Sequence, residues 1–227
     1  MEFQHKMMQK IWHENRYFFI PFIILLLFWS VLLLGFPKPE LHILINKNNS
    51  PFFDVFFSYL TFLGDGANIA VLFIVLLFKK IKYAFIFLTG SLVSSLLIVN
   101  LLKKIILHNI YRPAKYFELF ETYKLHLVEG VKMHALQSFP SGHSATAFNL
   151  FFMLALLVKN NILKFLFFCV AALVAFSRVY LSQHFLVDIA AGAVLGVAFI
   201  AFAWMCFENK NAGWLNQSII NVLKKNE

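Results

Sequence analysis

The chain has 227 residues, 60% of them hydrophobic and 14% charged, with 29 phenylalanines and a mean hydropathy of +0.74. A soluble fold could not hide that much Phe, Leu and Ile, so the composition predicts a single membrane domain over residues 1–227. The formal net charge of +9 lies between apolar runs rather than in an aromatic-laced patch, which excludes a nucleic-acid binder and favours lipid headgroups or phosphate.

In chain order, Tyr17 to Phe36 is the first span, long enough for the roughly 30 Å hydrocarbon core and too long for a signal h-region. Pro51 to Leu63 is short, carries Asp54 and ends at Gly64-Asp65-Gly66, so it is expected as an interfacial or re-entrant helix. Spans at Ala67–Phe78, Ile81 to about Leu102, Ser141–Val158, Ile162–Leu181 and Phe185–Phe207 complete the count. The expected fold is all-α: a polytopic six-transmembrane-helix bundle with one extra interfacial helix. The residues 214–225 read as an amphipathic or loose polar tail. Cys169 and Cys206 fall inside apolar runs and read as small buried hydrophobes rather than a disulfide framework or metal site. Lys and Arg divide slightly in favour of an inner N-terminus, which puts the 103–140 loop and the 178–184 turn on the outer face and both termini in the cytoplasm.

Three polar clusters then share that face: "KKIILHNIYRP" at 103–113, "PSGH" at 140–143 and "SRVYLSQHFLVD" at 177–188. Ionisable groups beside membrane spans are functional by default. His184 and Asp188 are four apart, so on a helix they share a face, and the carboxylate can fix the imidazole tautomer for nucleophilic attack. In "PSGH", Pro140 suits a first helical turn, leaving the amides of Ser141, Gly142 and His143 free for an anion. His143 adds a group able to donate a proton near neutral pH. Arg112 and Arg178 can fork onto phosphate oxygens, with Lys104 as a point charge. His126, Glu129 and His134 fit no compact metal site and read as exposed loop residues. The aromatic loop 111–123 suits an interfacial lid, or plain membrane anchoring.

These residues resemble the type 2 phosphatidic acid phosphatase superfamily, which shares its site with the vanadium haloperoxidases. Its signature is Lys, six residues, Arg-Pro; then Pro-Ser-Gly-His; then Ser-Arg, five residues, His, three residues, Asp. The second and third parts match without deviation at 140–143 and 177–188, and the likeness covers about 80–206. The first part departs: Ile105 occupies the lysine position before Arg112, with Lys104 one residue further away and Lys103 two. Lys104 is the first choice and Lys103 the fallback.

The resemblance implies His184 as nucleophile, Asp188 as its orienting partner and His143 as general acid. It makes Lys104, Arg112, Ser141, Gly142 and Arg178 the phosphate clamp, in a metal-independent and cofactor-free reaction through a phosphohistidine. The implied enzyme is a lipid phosphate hydrolase of a bacterial inner (cell) membrane, its site facing the periplasm or exterior. The family's substrates include undecaprenyl diphosphate, phosphatidylglycerol phosphate, phosphatidic acid and the phosphates of lipid A, and these residues do not choose among them or give an oligomeric state. A lipid phosphotransferase with the same site, or a carrier with a phosphate-binding vestibule, are the alternatives.

Overall fold

Side chains that are apolar on every face belong in a bundle centre or in lipid, and both occur here. The computed structural model describes residues 2–94, 101–210 and 212–224, and all regular elements among them are helical. They are α1 (Glu2–Glu14), α2 (Arg16–Gly35), α3 (Lys38–Lys47), α4 (Pro51–Leu60), α5 (Ala67–Lys79), α6 (Ile81–Ser91), α7 (Pro113–Phe120), α8 (Gly142–Leu157), α9 (Asn161–Tyr180), α10 (Leu186–Phe207) and α11 (Ile219–Lys224). α2, α9 and α10 are each long and apolar enough to cross a membrane. α4, continued by a 3-10 turn over Thr61–Gly64, joins α5 through a 54° bend, and this pair has the same capacity as one broken span. The short segment expected at Pro51–Leu63 and the span expected after it are thus two limbs of one bent element. α8 has 16 residues, and the expected third span runs into residues 95–100, outside the described residues.

α8 is the axis of the bundle. Phe148, Phe152 and Met153 on it are fully buried, so the helix touches protein on all sides. α10 reaches it backbone to backbone through two glycines one turn apart. A methyl group at Gly192 would stand 2.4 Å from the Ser141 carbonyl oxygen, and one at Gly196 2.6 Å from that of Ala145. Small residues at that period are how helices approach closely where lipid gives no hydrophobic drive. α2 closes another side through Phe18, whose ring lies 5.0 Å from Phe152 and 5.9 Å from Phe168. Its opposite face, ending in Leu34 at 89% exposed, is apolar and unpacked, as a lipid-facing surface must be. Cys206 is exposed, contrary to the expectation of burial, because it falls on the outward face of α10; Cys169 is partly buried.

Charged residues sort to the two ends. At one end, buried lysines cap helix C-termini, where the dipole favours a cation: Lys82 donates to the Glu208 carbonyl at 2.7 Å, and Lys164 to the Glu14 carbonyl and to Asn15 Oδ1. At the other end the start of α8, the end of α9 and the start of α10 meet.

Candidate active site

The turn between α9 and α10 carries His184. The amides of Gln183 and His184 both donate to the Arg178 carbonyl, folding the chain back on the last turn of α9. Ser182 takes a left-handed φ of 52°, a conformation costing a non-glycine residue about 1–2 kcal/mol. Its hydroxyl is held 3.1 Å from Nε2 of the buried His42 on α3. His184 therefore precedes α10 and does not lie on it, so the shared helical face expected from the four-residue spacing is replaced by a turn. His184 Nδ1 still lies 3.3 Å from Asp188 Oδ2. The same oxygen accepts the Phe185 amide at 2.9 Å and the Ser138 hydroxyl at 2.5 Å. An ionised carboxylate only accepts, so it fixes the proton on Nδ1 and leaves Nε2 with a free lone pair. Burial lowers the His184 pKa against the opposing pull of Asp188, keeping the ring neutral.

The cations gather around this ring. Arg112 precedes Pro113 and is extended (φ −78°, ψ 160°), as the proline ring demands. Its Nε donates to the Leu136 carbonyl at 3.0 Å, and its Nη1 to the Gln183 carbonyl at 3.2 Å. Arg178 Nη1 donates to Thr61 Oγ1 at 2.8 Å, while its Nε is buried with no hydrogen-bond partner among the described residues. Lys104 is exposed and Lys103 is buried, so the fallback lysine, not the first choice, faces inward. The reason is local: Leu102–Ile106 is a π-helical turn, whose wider winding takes up extra residues before Arg112. Burial and then the charge of Arg112 lower the Lys103 pKa to about 8, with Asp188 opposing.

"PSGH" differs in detail from the sequence expectation. α8 begins at Gly142, so Pro140 stands ahead of the helix and Ser141 is its N-cap, accepting the Ser144 amide at 3.3 Å. The Ser141 amide donates to the Asp188 carbonyl at 2.9 Å and is not free for an anion. The first helical bond is Ala145 to Ser141, which leaves the amides of Gly142 and His143 in the open first turn. His143 Nε2 lies 2.9 Å from Asp65 Oδ1, from the Gly64-Asp65-Gly66 break.

A cavity of about 860 Å³ opens beside His143, Arg178 and Gln183. Its walls come from α4, Asp65 and residues 128–134, including Lys132 and the exposed His134. The aromatic stretch 111–123 forms no part of that wall. It folds as α7 and packs behind the turn, with Tyr116 edge-on to Phe185 at 5.7 Å. His126 is not a free loop residue either, since its Nε2 pairs with Asp54 at 2.9 Å. Asp65, Gln183, Ser138 and Thr61 do not stand out in the sequence. The Asp65 position is visible there as a helix break and Ser138 as part of a polar run, but neither spacing announces a partner.

The fold and these residues can be set beside known proteins. A sequence profile described as PAP2 superfamily matches residues 83–212. The chain is 25% identical over 183 residues to a lipid A 4'-phosphatase of Porphyromonas gingivalis, spanning 79% of this chain and 76% of that protein. It is similar to the crystal structure of Aquifex aeolicus LpxE, at 28% identity and a TM-score of 0.62, over 72% of this chain and 92% of that one. It also shares the fold of a transmembrane PAP2 type phosphatidylglycerolphosphate phosphatase from Bacillus subtilis, at 22% identity and a TM-score of 0.57, over 89% and 99% of the two chains. With more than half its length inside the family profile, and the motif residues of three separate segments at one end of the bundle, the chain belongs to the PAP2 superfamily.

Proposed function

We propose that this protein is an integral membrane phosphatase that removes phosphate from a lipid phosphomonoester or diphosphate through a phosphohistidine on His184. Membership of the superfamily, with a relative named as a lipid A 4'-phosphatase, makes it a hydrolase of phosphoric esters. The observation that carries the lipid-phosphate reading is the pairing of a neutral, Asp188-oriented imidazole with two arginines tied to the residue beside it.

In the proposed cycle, His184 Nε2 attacks phosphorus in line as the bond to the leaving oxygen breaks. Arg112, Arg178 and Lys103 neutralise the equatorial oxygens, and the Gly142 and His143 amides add donors at the positive end of α8. His143 enters as the imidazolium, its charge favoured by Asp65 and by the bound phosphate. It gives its Nε2 proton to the leaving oxygen and becomes neutral, then accepts one from the water that cleaves the N–P bond and releases inorganic phosphate. Asp188 stays ionised throughout. No metal ion or cofactor is assigned a role.

The substrate's setting follows from the surroundings of the cavity. A second hollow of about 760 Å³, lined by Phe52, Val55, Phe56, Tyr59, Leu60 and Leu63, shares Val55 and Tyr59 with the first. A phosphorylated headgroup in the polar cavity and a chain along this apolar face is the arrangement it supports. Phosphatidylglycerol phosphate and lipid A type phosphates are the first lipids to try, with undecaprenyl diphosphate and phosphatidic acid beside them. The proposed topology has six crossings, cytoplasmic termini and the site on the outer face of a bacterial inner membrane.

The test is phosphate release by purified protein in detergent from that panel, with water as sole acceptor. Release that vanadate inhibits and a chelator leaves intact is the expected result. Phosphate passed only to another acceptor, or no turnover of any lipid, overturns the hydrolase reading.

A further inference from the structure

The two arginines present a physical problem. Arg112 Nη1 lies 3.4 Å and Arg178 Nη2 3.3 Å from one atom, Gln183 Oε1, so these nitrogens cannot be more than about 7 Å apart. Like charges at that separation in a buried site repel with little screening. Yet both guanidiniums hydrogen-bond to neutral oxygens: Thr61 Oγ1, Leu136 O, Gln183 O and Gln183 Oε1. The influence of Asp188 on Arg112, and of Asp65 on Arg178, is exerted through space.

Gln183 is built to hold that pair. It is 2% exposed, and the far end of its amide is also committed. Its Nε2 donates at 3.0 Å to the carbonyl of Lys132, on the wall of the large cavity, and lies 3.2 Å from Met133 Sδ. With the nitrogen end tied to that carbonyl, the oxygen end is obliged to face the arginines. A carboxylate here would bind them more strongly, but it would cancel the charge a phosphate needs. A neutral amide gathers the cations and leaves that charge, together with the unpartnered Arg178 Nε, available.

We propose that Gln183, which nothing in the shared motif specifies, is a positioning residue. It pre-assembles Arg112 and Arg178 into one phosphate clamp and couples that clamp to the 132–133 wall. The inference rests on the phosphatase reading above. It predicts that anion affinity, not folding, responds to the chemistry at this position.

The experiment compares wild type with Gln183→Met and Gln183→Glu, using KM and kcat on a lipid phosphate, the vanadate inhibition constant, and thermal unfolding with and without vanadate. Gln183→Met should raise KM and the vanadate constant about tenfold, with the larger change in KM than in kcat. Gln183→Glu should raise both further while unfolding above Gln183→Met, because its carboxylate satisfies the arginines even though it loses the donor to the Lys132 carbonyl. Stability and anion affinity then move in opposite directions, which a merely structural residue does not produce. Vanadate constants within twofold of wild type in both variants would overturn the proposal, as would losses of affinity that simply track losses of stability. If wild type itself neither turns over a lipid phosphate nor is stabilised by vanadate, the phosphatase reading has failed, and that result is distinct from a failure at Gln183.

Discussion

The site's two histidines sit in opposite surroundings. The His184 and Asp188 side chains are each 2% exposed, whereas His143 is 31% exposed and its carboxylate partner Asp65 is 42% exposed. Phe185, next to His184, packs against His42 of α3 and Tyr116 of α7, and the Asp188 oxygen that faces His184 accepts three hydrogen bonds. His143 opens on the cavity, beside a loop wall. The difference matches the two jobs proposed. A nucleophile gains from a fixed, dry position, because misalignment is costly in an in-line displacement. A proton donor must meet leaving groups of varied shape and regain its proton from water, so it needs access.

The largest test of that contrast is His184→Ala, expected to lower phosphate release by at least about 1,000-fold with unfolding temperature near wild type. Retained release at an unchanged fold removes the nucleophile from this position. His143→Ala should reduce hydrolysis of an alkyl lipid phosphate by about 10²- to 10⁴-fold, but spare an aryl phosphate whose leaving group needs little proton help. Equal losses on both substrates count against the acid role. Next comes the lysine: Lys103→Ala should lower kcat/KM about 10- to 100-fold at pH 7, the worth of one charge-assisted hydrogen bond, with Lys104→Ala within about twofold of wild type. Because the Lys103 pKa sits at about 8, its charge is present below that pH and lost above it. Phosphate affinity should therefore weaken as pH rises through 8, and Lys103→Arg should carry it to higher pH. Among the residues assigned to the site, the smallest effect belongs to Asp65→Asn. An exposed ion pair is worth about 0.2–1 kcal/mol, so a change in rate of no more than about fivefold is expected.

Much of this site is legible in the amino-acid sequence, and unevenly so. Helical content and the lipid-facing surface follow from apolar runs, since burial in lipid or protein leaves no other pattern for them. The motif residues are legible because their chemistry is unusual beside a membrane span. Spacing misleads wherever the backbone leaves regular helix. The π-helical turn at Leu102–Ile106 shifts the inward lysine from Lys104 to Lys103, and the start of α8 at Gly142 turns Ser141 from an anion donor into a cap. Gln183 and Asp65 stay silent for a different reason. Their partners are 5 to about 80 residues away, and pairing across such separations is decided by packing.

The dock between α8 and α10 carries a last consequence. Ser141, near His143, and Asp188, near His184, share a main-chain hydrogen bond just above the point where Gly192 lets the two rods touch. The gauge between the proposed proton source and the proposed attacking nitrogen is thus set by peptide against peptide, with the short Ser144 side chain alongside, its hydroxyl on the Ile189 carbonyl at 2.7 Å. Such a gauge tolerates little adjustment. Variation in which lipids are accepted has to be written in α4 and the 128–134 wall, where contours can drift without moving the chemistry.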